Sequence, residues 1–318
     1  MKEIRVIGMV IYTYAILEER LEELWNWLKR VEEWSGQPYA EFHFSSRAKQ
    51  SLRVWKATER NRAKLYDRLH AEQPWFVLDF GWPRGALDNV LSKTKGLDVA
   101  LRSRPQPSRG GESYRSPSYI WLGMHPEVLI QSSTGVSGLL ELGVQAWEII
   151  DGVYGFIDVE TGIPLRDDIL RNAIHLFDST VPKEYEMEFL LWVHARSELD
   201  KRVWKAFWGN FLGAEHLRQL GGIEEMRRAD PLYRRLPEYL EQAYQQGRAR
   251  LRESSCYHEW RDLAHGGVLL TLSESPLDWF EKQVQERKAC LQEVFGQVAL
   301  GPWDYDRYNL TIFRKEQE

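Results

Sequence analysis

The chain has little cysteine and no long apolar run. Its 318 residues include only two cysteines, Cys256 and Cys290. Two cysteines do not make the disulfide framework of a small secreted domain and favour a reducing compartment, so we expect Cys256 to be a packed thiol. No stretch reaches the roughly 18 apolar residues of a membrane span, and the N-terminus lacks the pattern of a signal peptide. These absences predict a cytoplasmic protein with no membrane partner.

The motifs of nucleotide-binding and zinc proteins are missing as well. The chain contains neither Gly-x-x-x-x-Gly-Lys-Ser/Thr nor Gly-x-Gly-x-x-Gly. The stretch 135–138 lacks the spacing of a nucleophile elbow and instead predicts the start of a helix. His258 has no second histidine four residues later, and Cys256 has no cysteine pair with which to complete a zinc site. We therefore expect no metal and no cofactor, and we assign no catalytic residue.

Tryptophan is what the chain has in abundance. It carries 14 Trp within a composition that is 43% hydrophobic and 28% charged, and those two fractions are ordinary for a globular protein. An indole has a large apolar face and one N–H donor, so it suits both cores and interfaces. The excess is typical of a protein built for packing and for contact with a partner.

Charge is divided unequally along the chain. Residues 1–150 carry 20 Lys+Arg and 18 Asp+Glu, or +2, which leaves 22 and 29, or −7, for the remainder. An acidic second part disfavours nucleic acid as a partner and suits a basic protein. The four arginines of the Pro-, Gly- and Ser-rich stretch 102–117 are the one basic feature that would contact phosphate. That stretch is predicted to lack regular structure, and its role is left open.

Hydrophobic periodicity predicts an α+β fold, with mixed or antiparallel sheets and packed amphipathic helices. Strands are predicted at 4–14, 39–44, 75–80, 119–122, 153–158, 267–272 and 308–313. Helices are predicted at 17–36, 139–149 and 197–213, at the charged stretch 57–71, and from Pro276 to Gly296, where Phe280 belongs to the apolar face. The helix at 17–36 has Gly36 as its expected stop and an apolar stripe on one face, formed by Leu17, Leu21, Leu24, Leu28 and Val31. Each of two halves, 1–117 and 118–318, opens with a strand, a helix and a strand, and the two halves are expected to be separate units or one compact domain.

Two aromatic-and-glycine blocks in the second half are the most distinctive stretches. The first, residues 204–222, includes Trp204, Trp208, Gly209, Asn210, Gly221 and Gly222. The second, residues 265–279, includes Gly267 and Pro276, with Ser275 as an expected helix cap and Pro276 at the first helical position. Their residue types suit packing and turns, so we assign them to the structural frame and leave the partner-binding residues unknown.

The strings Phe207-Trp-Gly-Asn-Phe-Leu-Gly213, Leu220-Gly-Gly222 and Gly267-Val-Leu-Leu-Thr-Leu-Ser-Glu-Ser-Pro276 resemble the type VI secretion immunity family. The opening strand and the Leu/Trp-rich helix at 6–34 are similar to the start of that family. The resemblance implies a protein that binds and neutralises a cognate toxin used in bacterial competition, without catalysis, metal or cofactor. The 102–117 stretch is not part of the family pattern.

An enzyme is the alternative. Asp158 and Glu160 are two residues apart, so their carboxylates would share one side of a strand, facing water at its end. A hydrolase would bring one of them to His258 or His265 in a deep pocket.

Overall fold

Apolar strands and amphipathic helices recur along the chain, and the computed structural model assembles them into an α+β fold. The structure describes residues 4, 6–46, 49–71, 76–81, 96–102, 108–109, 112–113, 117–160, 199–203, 205–220, 242, 245–249, 251, 256–296 and 298. The strands are β1 Val6–Thr13, β2 Glu41–Ser46, β3 Lys49–Lys56, β4 Phe76–Gly81, β5 Leu97–Arg102, β6 Ser108–Arg109, β7 Glu112–Ser113, β8 Ser118–Met124, β9 Tyr154–Glu160, β10 Gly209–Leu212, β11 Glu259–Asp262 and β12 Val268–Thr271. The helices are α1 Leu21–Ser35, α2 Glu59–Ala71, α3 Pro126–Gln131, α4 Gly135–Ile149, α5 Ala214–Gln219 and α6 Lys282–Phe295, with 3-10 turns at Leu17–Arg20, Ala264–Gly266 and Pro276–Asp278.

One antiparallel sheet of ten described strands runs in the order β11-β12-β10-β9-β1-β8-β5-β4-β2-β3. β1 lies near its centre, with Ile11 opposite Ile120 of β8 on one edge and opposite Gly155 of β9 on the other. Every residue of β1 and β8 is buried, so both faces of the central sheet are covered. This explains why these strands are continuous apolar runs rather than alternations of apolar and polar residues.

The sheet passes across the proposed boundary between residues 117 and 118. Both halves open with a strand, helical segments and a strand, as predicted. However, the strands that end the two series differ in position. In the second half that strand is β9, which pairs with β1, whereas in the first half it is β2, which lies between β4 and β3. The first strand of each half is therefore flanked by strands of the other half, and the division into two units stays a prediction.

Helix α1 contacts the core through the stripe predicted from the sequence. The five residues of that stripe are all buried: Leu17, Leu21, Leu24, Leu28 and Val31. Leu17 lies in the 3-10 turn that precedes α1. Gly36 ends the helix with a φ of 64°, a left-handed conformation that glycine adopts without steric cost.

Two tryptophans fix α1 to α4. The indole N–H of Trp27 donates to the Leu142 carbonyl at 2.9 Å, and that of Trp34 donates to the Gly135 carbonyl at 3.2 Å. Gly138 permits the close approach, because a Cβ there would lie 2.4 Å from the Trp34 ring. The helix predicted to begin at the 135–138 stretch therefore begins there, with its first turn packed on Trp34.

The predicted helix at 197–213 is wrong within the described part of that range. Residues 199–201 form a turn, and residues 209–212 are strand β10, which pairs with β9 and β12. Asn210 stabilises the bend before the strand: its Oδ1 accepts from the Phe207 N–H at 2.9 Å and its Nδ2 donates to the Phe207 carbonyl at 2.8 Å. Apolar residues at helical spacing can equally be buried on both faces of a strand, and pairing on both edges decided the outcome.

The predicted helix start at Pro276 is correct in its cap and wrong in its length. Ser275 Oγ accepts from the Leu277 N–H at 3.2 Å, and Asp278 Oδ2 accepts from the Ser275 N–H at 3.2 Å, which is a capping box. The turn it caps is only Pro276–Asp278, and α6 begins at Lys282. Phe280, expected on the buried face, is 38% exposed in the connection.

The two cysteines are joined, so the expectation of a packed Cys256 thiol is wrong. Cys256, just before β11, forms a disulfide with Cys290 of α6, and their Cα atoms are 5.2 Å apart. Two single cysteines 34 residues apart give no sequence signal of pairing. Only the packing of α6 against the end of the sheet brings them together.

His216 is a fully buried histidine in α5. Its Nδ1 accepts from the Gly213 N–H at 3.0 Å, and its Nε2 lies 3.3 Å from the Arg202 carbonyl, to which the neutral ring donates. Burial lowers the pKa of His216 to about 4. The neutral ring thus connects α5 to the segment that precedes β10.

Three further observations concern the ends and connections of the chain. Within the 102–117 stretch, where no regular structure was expected, Ser108 pairs with Ser113 and Arg109 with Glu112 in a short hairpin. The strand predicted at 308–313 lies outside the described residues. No helix in the part that the structure describes combines the length and apolar character needed to cross a membrane.

The disulfide is expected to stabilise the fold substantially. Replacing both cysteines by serine should lower the free energy of unfolding by about 3–4 kcal/mol, because the link closes a loop of 34 residues in the unfolded chain. Urea unfolding of the oxidised protein and of the Cys256→Ser/Cys290→Ser variant measures the difference. A thiol reductant should destabilise the natural protein and leave the variant unchanged. Equal unfolding midpoints for the two proteins would contradict the expected link.

Stability is expected to fall as the pH drops from about 6.5 towards 4. The pKa of His216 is lower in the folded than in the unfolded chain, so the unfolded chain binds the extra proton in that window. The loss attributable to His216 between pH 7 and pH 5 should be about 2 kcal/mol, measured by urea unfolding at both pH values. His216→Gln should flatten the pH dependence, whereas His265→Gln, at a histidine whose side chain is 71% exposed, should not. If the free energy of unfolding of His216→Gln kept the pH dependence of the natural protein, a group other than His216 would be responsible for it.

Candidate functional site

The two aromatic-and-glycine blocks lie side by side in the sheet. β10 belongs to the first block and pairs with β12 of the second, with Gly209 opposite Thr271. Trp208 joins the blocks beyond that ladder: its carbonyl accepts from the Leu272 N–H at 2.9 Å, and its indole N–H donates to Ser273 Oγ at 2.8 Å. The fold therefore pairs the two blocks, which in the sequence have only their residue types in common.

The contacts of the block residues are those of a packed frame. Gly209 and Asn210 are buried in β10. A Cβ on Gly267 would lie 2.9 Å from the Leu212 carbonyl oxygen, so the two segments are in close backbone contact there. Pro276 begins the capped 3-10 turn. Three other residues assigned to these blocks lie outside the described residues: Trp204, Gly221 and Gly222.

Asp158 is a buried carboxylate, whereas the sequence predicted a group facing water. It is 7% exposed in β9. Burial raises the pKa of Asp158, and the charges of Lys205 and Lys288 oppose that rise. Burial in turn lowers the pKa of Lys288, against the attraction of Asp158. Glu160 belongs to the same strand, but its side chain is not among those described.

The two lysines whose charges act on Asp158 also lie over aromatic rings. Lys205 Nζ is 5.1 Å from the Phe207 ring centroid, and Lys288 Nζ is 4.6 Å from that of Trp279. Cations in such positions are attracted by the ring quadrupole. Because Lys288 belongs to α6, its charge acts on Asp158 of β9 from a neighbouring element, and we interpret this cluster as part of the frame.

The side chains whose charges act on Asp158 are Lys205 and Lys288, and neither histidine of the enzyme alternative is among them. His265 is exposed, and its Nε2 is 3.5 Å from Asp151 Oδ1, so its carboxylate neighbour is Asp151. His258 is exposed as well. Among the described residues, no three His, Cys, Asp or Glu side chains are grouped so that they could hold a metal ion.

A groove of about 750 Å³ lies between α1 and α2. From α1 it is lined by Glu22, Trp25, Asn26, Lys29 and Glu32. From α2 and the residues before it, the lining is Ala57, Glu59, Arg62, Ala63, Tyr66 and Asp67. The volume falls within the roughly 300–1,000 Å³ of ordinary binding sites.

An ion pair between Glu32 and Arg62 ties the two helices together. Arg62 donates from both terminal nitrogens to the two carboxylate oxygens, with Nη1 2.5 Å from Oε2. Glu32 Oε1 also accepts from the Tyr39 N–H at 2.8 Å, and the guanidinium lies 5.5 Å from the Phe42 ring centroid. The bond to Glu32 raises the pKa of Arg62, which keeps it charged. A bidentate, partly buried pair of this kind gives the groove a fixed geometry.

The centre of the groove is aromatic. The rings of Trp25 and Tyr66 are 5.6 Å apart and tilted by 59°, and both residues are half-buried. The small side chains of Ala57 and Ala63 lie beside them in the lining. Around this centre, Glu22, Glu59 and Asp67 are exposed, and the groove as a whole has four acidic and two basic residues, or a charge of −2.

Trp25 is a residue from which the sequence could have indicated this groove, but the prediction for α1 used only the apolar stripe. Trp25 is not one of the five stripe residues, and charge is the only distinguishing feature of the helix predicted at 57–71. Trp25 lies at the border of that stripe, four residues after Leu21 and three before Leu28, and it is half-buried against the core. Which element faces Trp25 depends on the position of α2, and the sequence does not give that position.

Comparison with known proteins gives a fold likeness. No family model matches the chain, and no curated protein matches it. Among solved structures, the Pseudomonas aeruginosa T6SS protein PA0821 is similar with a TM-score of 0.55 and 11% identity, and the match covers 92% of this chain and 73% of that one. The chain thus resembles a type VI secretion-associated protein in fold along nearly its whole length.

Proposed function

We propose that the chain is an immunity protein that binds a cognate type VI secretion toxin and neutralises it by covering its active surface. The observation that carries the proposal is the fold likeness, over 92% of the chain, to a T6SS protein. The resemblance to the type VI secretion immunity family that the sequence suggests at 207–213, 220–222 and 267–276 points in the same direction, although no family model matches the chain. In this proposal the partner is a toxin protein, with no nucleic acid, cofactor or metal.

A neutralising protein acts by contact, so it needs a rigid surface of about 800 Å² for its partner. The buried central strands and the tryptophan anchors of α1 supply that rigidity here. A preformed surface loses little conformational entropy on binding, which favours tight association. These properties support occlusion as the mechanism.

Asp158 supports a protein without catalytic activity. A catalytic carboxylate must reach its substrate, whereas Asp158 is buried in the sheet. The hydrolase alternative needed a histidine beside this group, and the carboxylate neighbour of His265 is Asp151. We therefore propose a binder in preference to an enzyme.

The disulfide favours an oxidising compartment over the cytoplasm expected from the sequence. The Cys256–Cys290 link persists where thiols are oxidised, as in the bacterial periplasm. If the chain works there, alkylation of intact cells and their lysate with a thiol-reactive reagent should leave both cysteines unmodified until a reductant is added. Full modification without reductant would instead favour a cytoplasmic, reduced protein.

Co-expression tests the proposed function directly. The product of a toxin gene beside the gene of this chain should stop growth when produced alone in its target compartment, and co-production of this chain should restore growth. The two purified proteins should form a stable complex, since immunity by occlusion needs an affinity tight enough to outlast the exposure. An unrelated toxin is the control and should not be neutralised. A toxic neighbour that is neither rescued nor bound would overturn the proposal.

A further inference from the structure

The α1–α2 groove has the anatomy of a protein-binding hot spot. Such sites place an aromatic centre inside a polar rim that excludes water once the partner is bound. Trp25 and Tyr66 form the centre here, and Glu22, Glu59 and Asp67 stand around it. The shape and the chemistry of the groove are therefore suited to contact with a partner protein, although Trp25 also packs partly against the core.

The charge of the groove selects the chemistry of that partner. Its acidic residues outnumber its basic ones by four to two, and Arg62 is already held by both oxygens of Glu32. The exposed carboxylates of Glu59 and Asp67 therefore dominate the α2 side, with Lys29 the other cation of the lining. A phosphate-bearing partner would be repelled, whereas an arginine or lysine would be attracted by the carboxylates and by the faces of Trp25 and Tyr66.

We propose that this groove receives a basic segment of the partner protein, with an arginine or lysine side chain seated against Trp25 and Tyr66. The assignment rests on the proposed function, because it names the surface through which the toxin is held. The Glu32–Arg62 pair sets the spacing of the helices beforehand, so the groove needs no rearrangement to bind.

Charge reversal with a matched control tests the groove. Glu59→Lys/Asp67→Lys reverses two exposed residues that line it, and Glu23→Lys/Glu33→Lys makes the same change at exposed residues of α1 outside it. Binding of the neighbouring toxin, measured by surface plasmon resonance at low and high salt, should weaken at least about tenfold in the groove variant, mainly through slower association. The control variant should stay within about threefold of the natural protein, a loss set by long-range charge alone.

Truncation of the aromatic centre is the second variant. Trp25→Ala should weaken toxin binding by about thirtyfold or more, the size of a hot-spot truncation. Circular dichroism and the unfolding midpoint confirm that each variant is folded. If the natural protein binds the toxin and all groove variants bind equally well, the groove assignment is wrong and the proposed function stands. If the natural protein does not bind the toxin, the proposed function fails.

A probe that needs no toxin keeps the two failures distinct. The indole N–H signal of Trp25 in an NMR spectrum, assigned with Trp25→Phe, should shift on addition of a short arginine-rich peptide and not with the same peptide carrying glutamate. Glu59→Lys/Asp67→Lys should abolish the shift. No shift in the natural protein would overturn the groove assignment. A shift with spermine that leaves toxin binding unaffected would identify a small-cation site and would overturn it too.

Discussion

The pairing of β1 along both of its edges is the constraint on which the rest of the fold depends. The strand is buried along its whole length and lies between β8 and β9, two strands of the second part of the chain. Two paired edges satisfy its backbone groups, so its apolar side chains can be covered on both faces without loss of hydrogen bonds. A sheet joined in this way places helices of both parts on one frame, and that placement brings α1 against α4.

The helix that packs on this frame also forms the candidate site. Successive helical residues are rotated by about 100°, so Trp25 and Trp27 point to different sides of α1. Trp27 enters the core and donates to Leu142, while Trp25 lines the groove toward α2. The packing that fixes one tryptophan therefore holds the other at the surface, in a position set by the core.

Several residues of types that are common in catalytic sites are part of the folded interior in this structure. Asp158 is buried in β9, His216 uses both ring nitrogens to join backbone groups, and the two cysteines form a disulfide. A buried polar group is costly unless it is paired, so the two ring contacts of His216 stabilise the fold by removing that penalty. Reactive residue types read from a sequence thus carry little functional information until their burial is known.

The sequence by itself determined the fold class, a buried strand at 4–14, the buried stripe of α1 with its glycine stop, and the helix cap at Ser275. Each of these depends on local periodicity or on neighbouring residues. It did not determine that 209–212 is a strand, that the cysteines meet, or that Asp158 is buried. It also placed the acidic character in the second part of the chain, whereas the acidic groove lies between two helices of the first part, which carries a net charge of +2. These outcomes were decided by tertiary contacts, since strand pairing and local charge depend on residues distant along the chain.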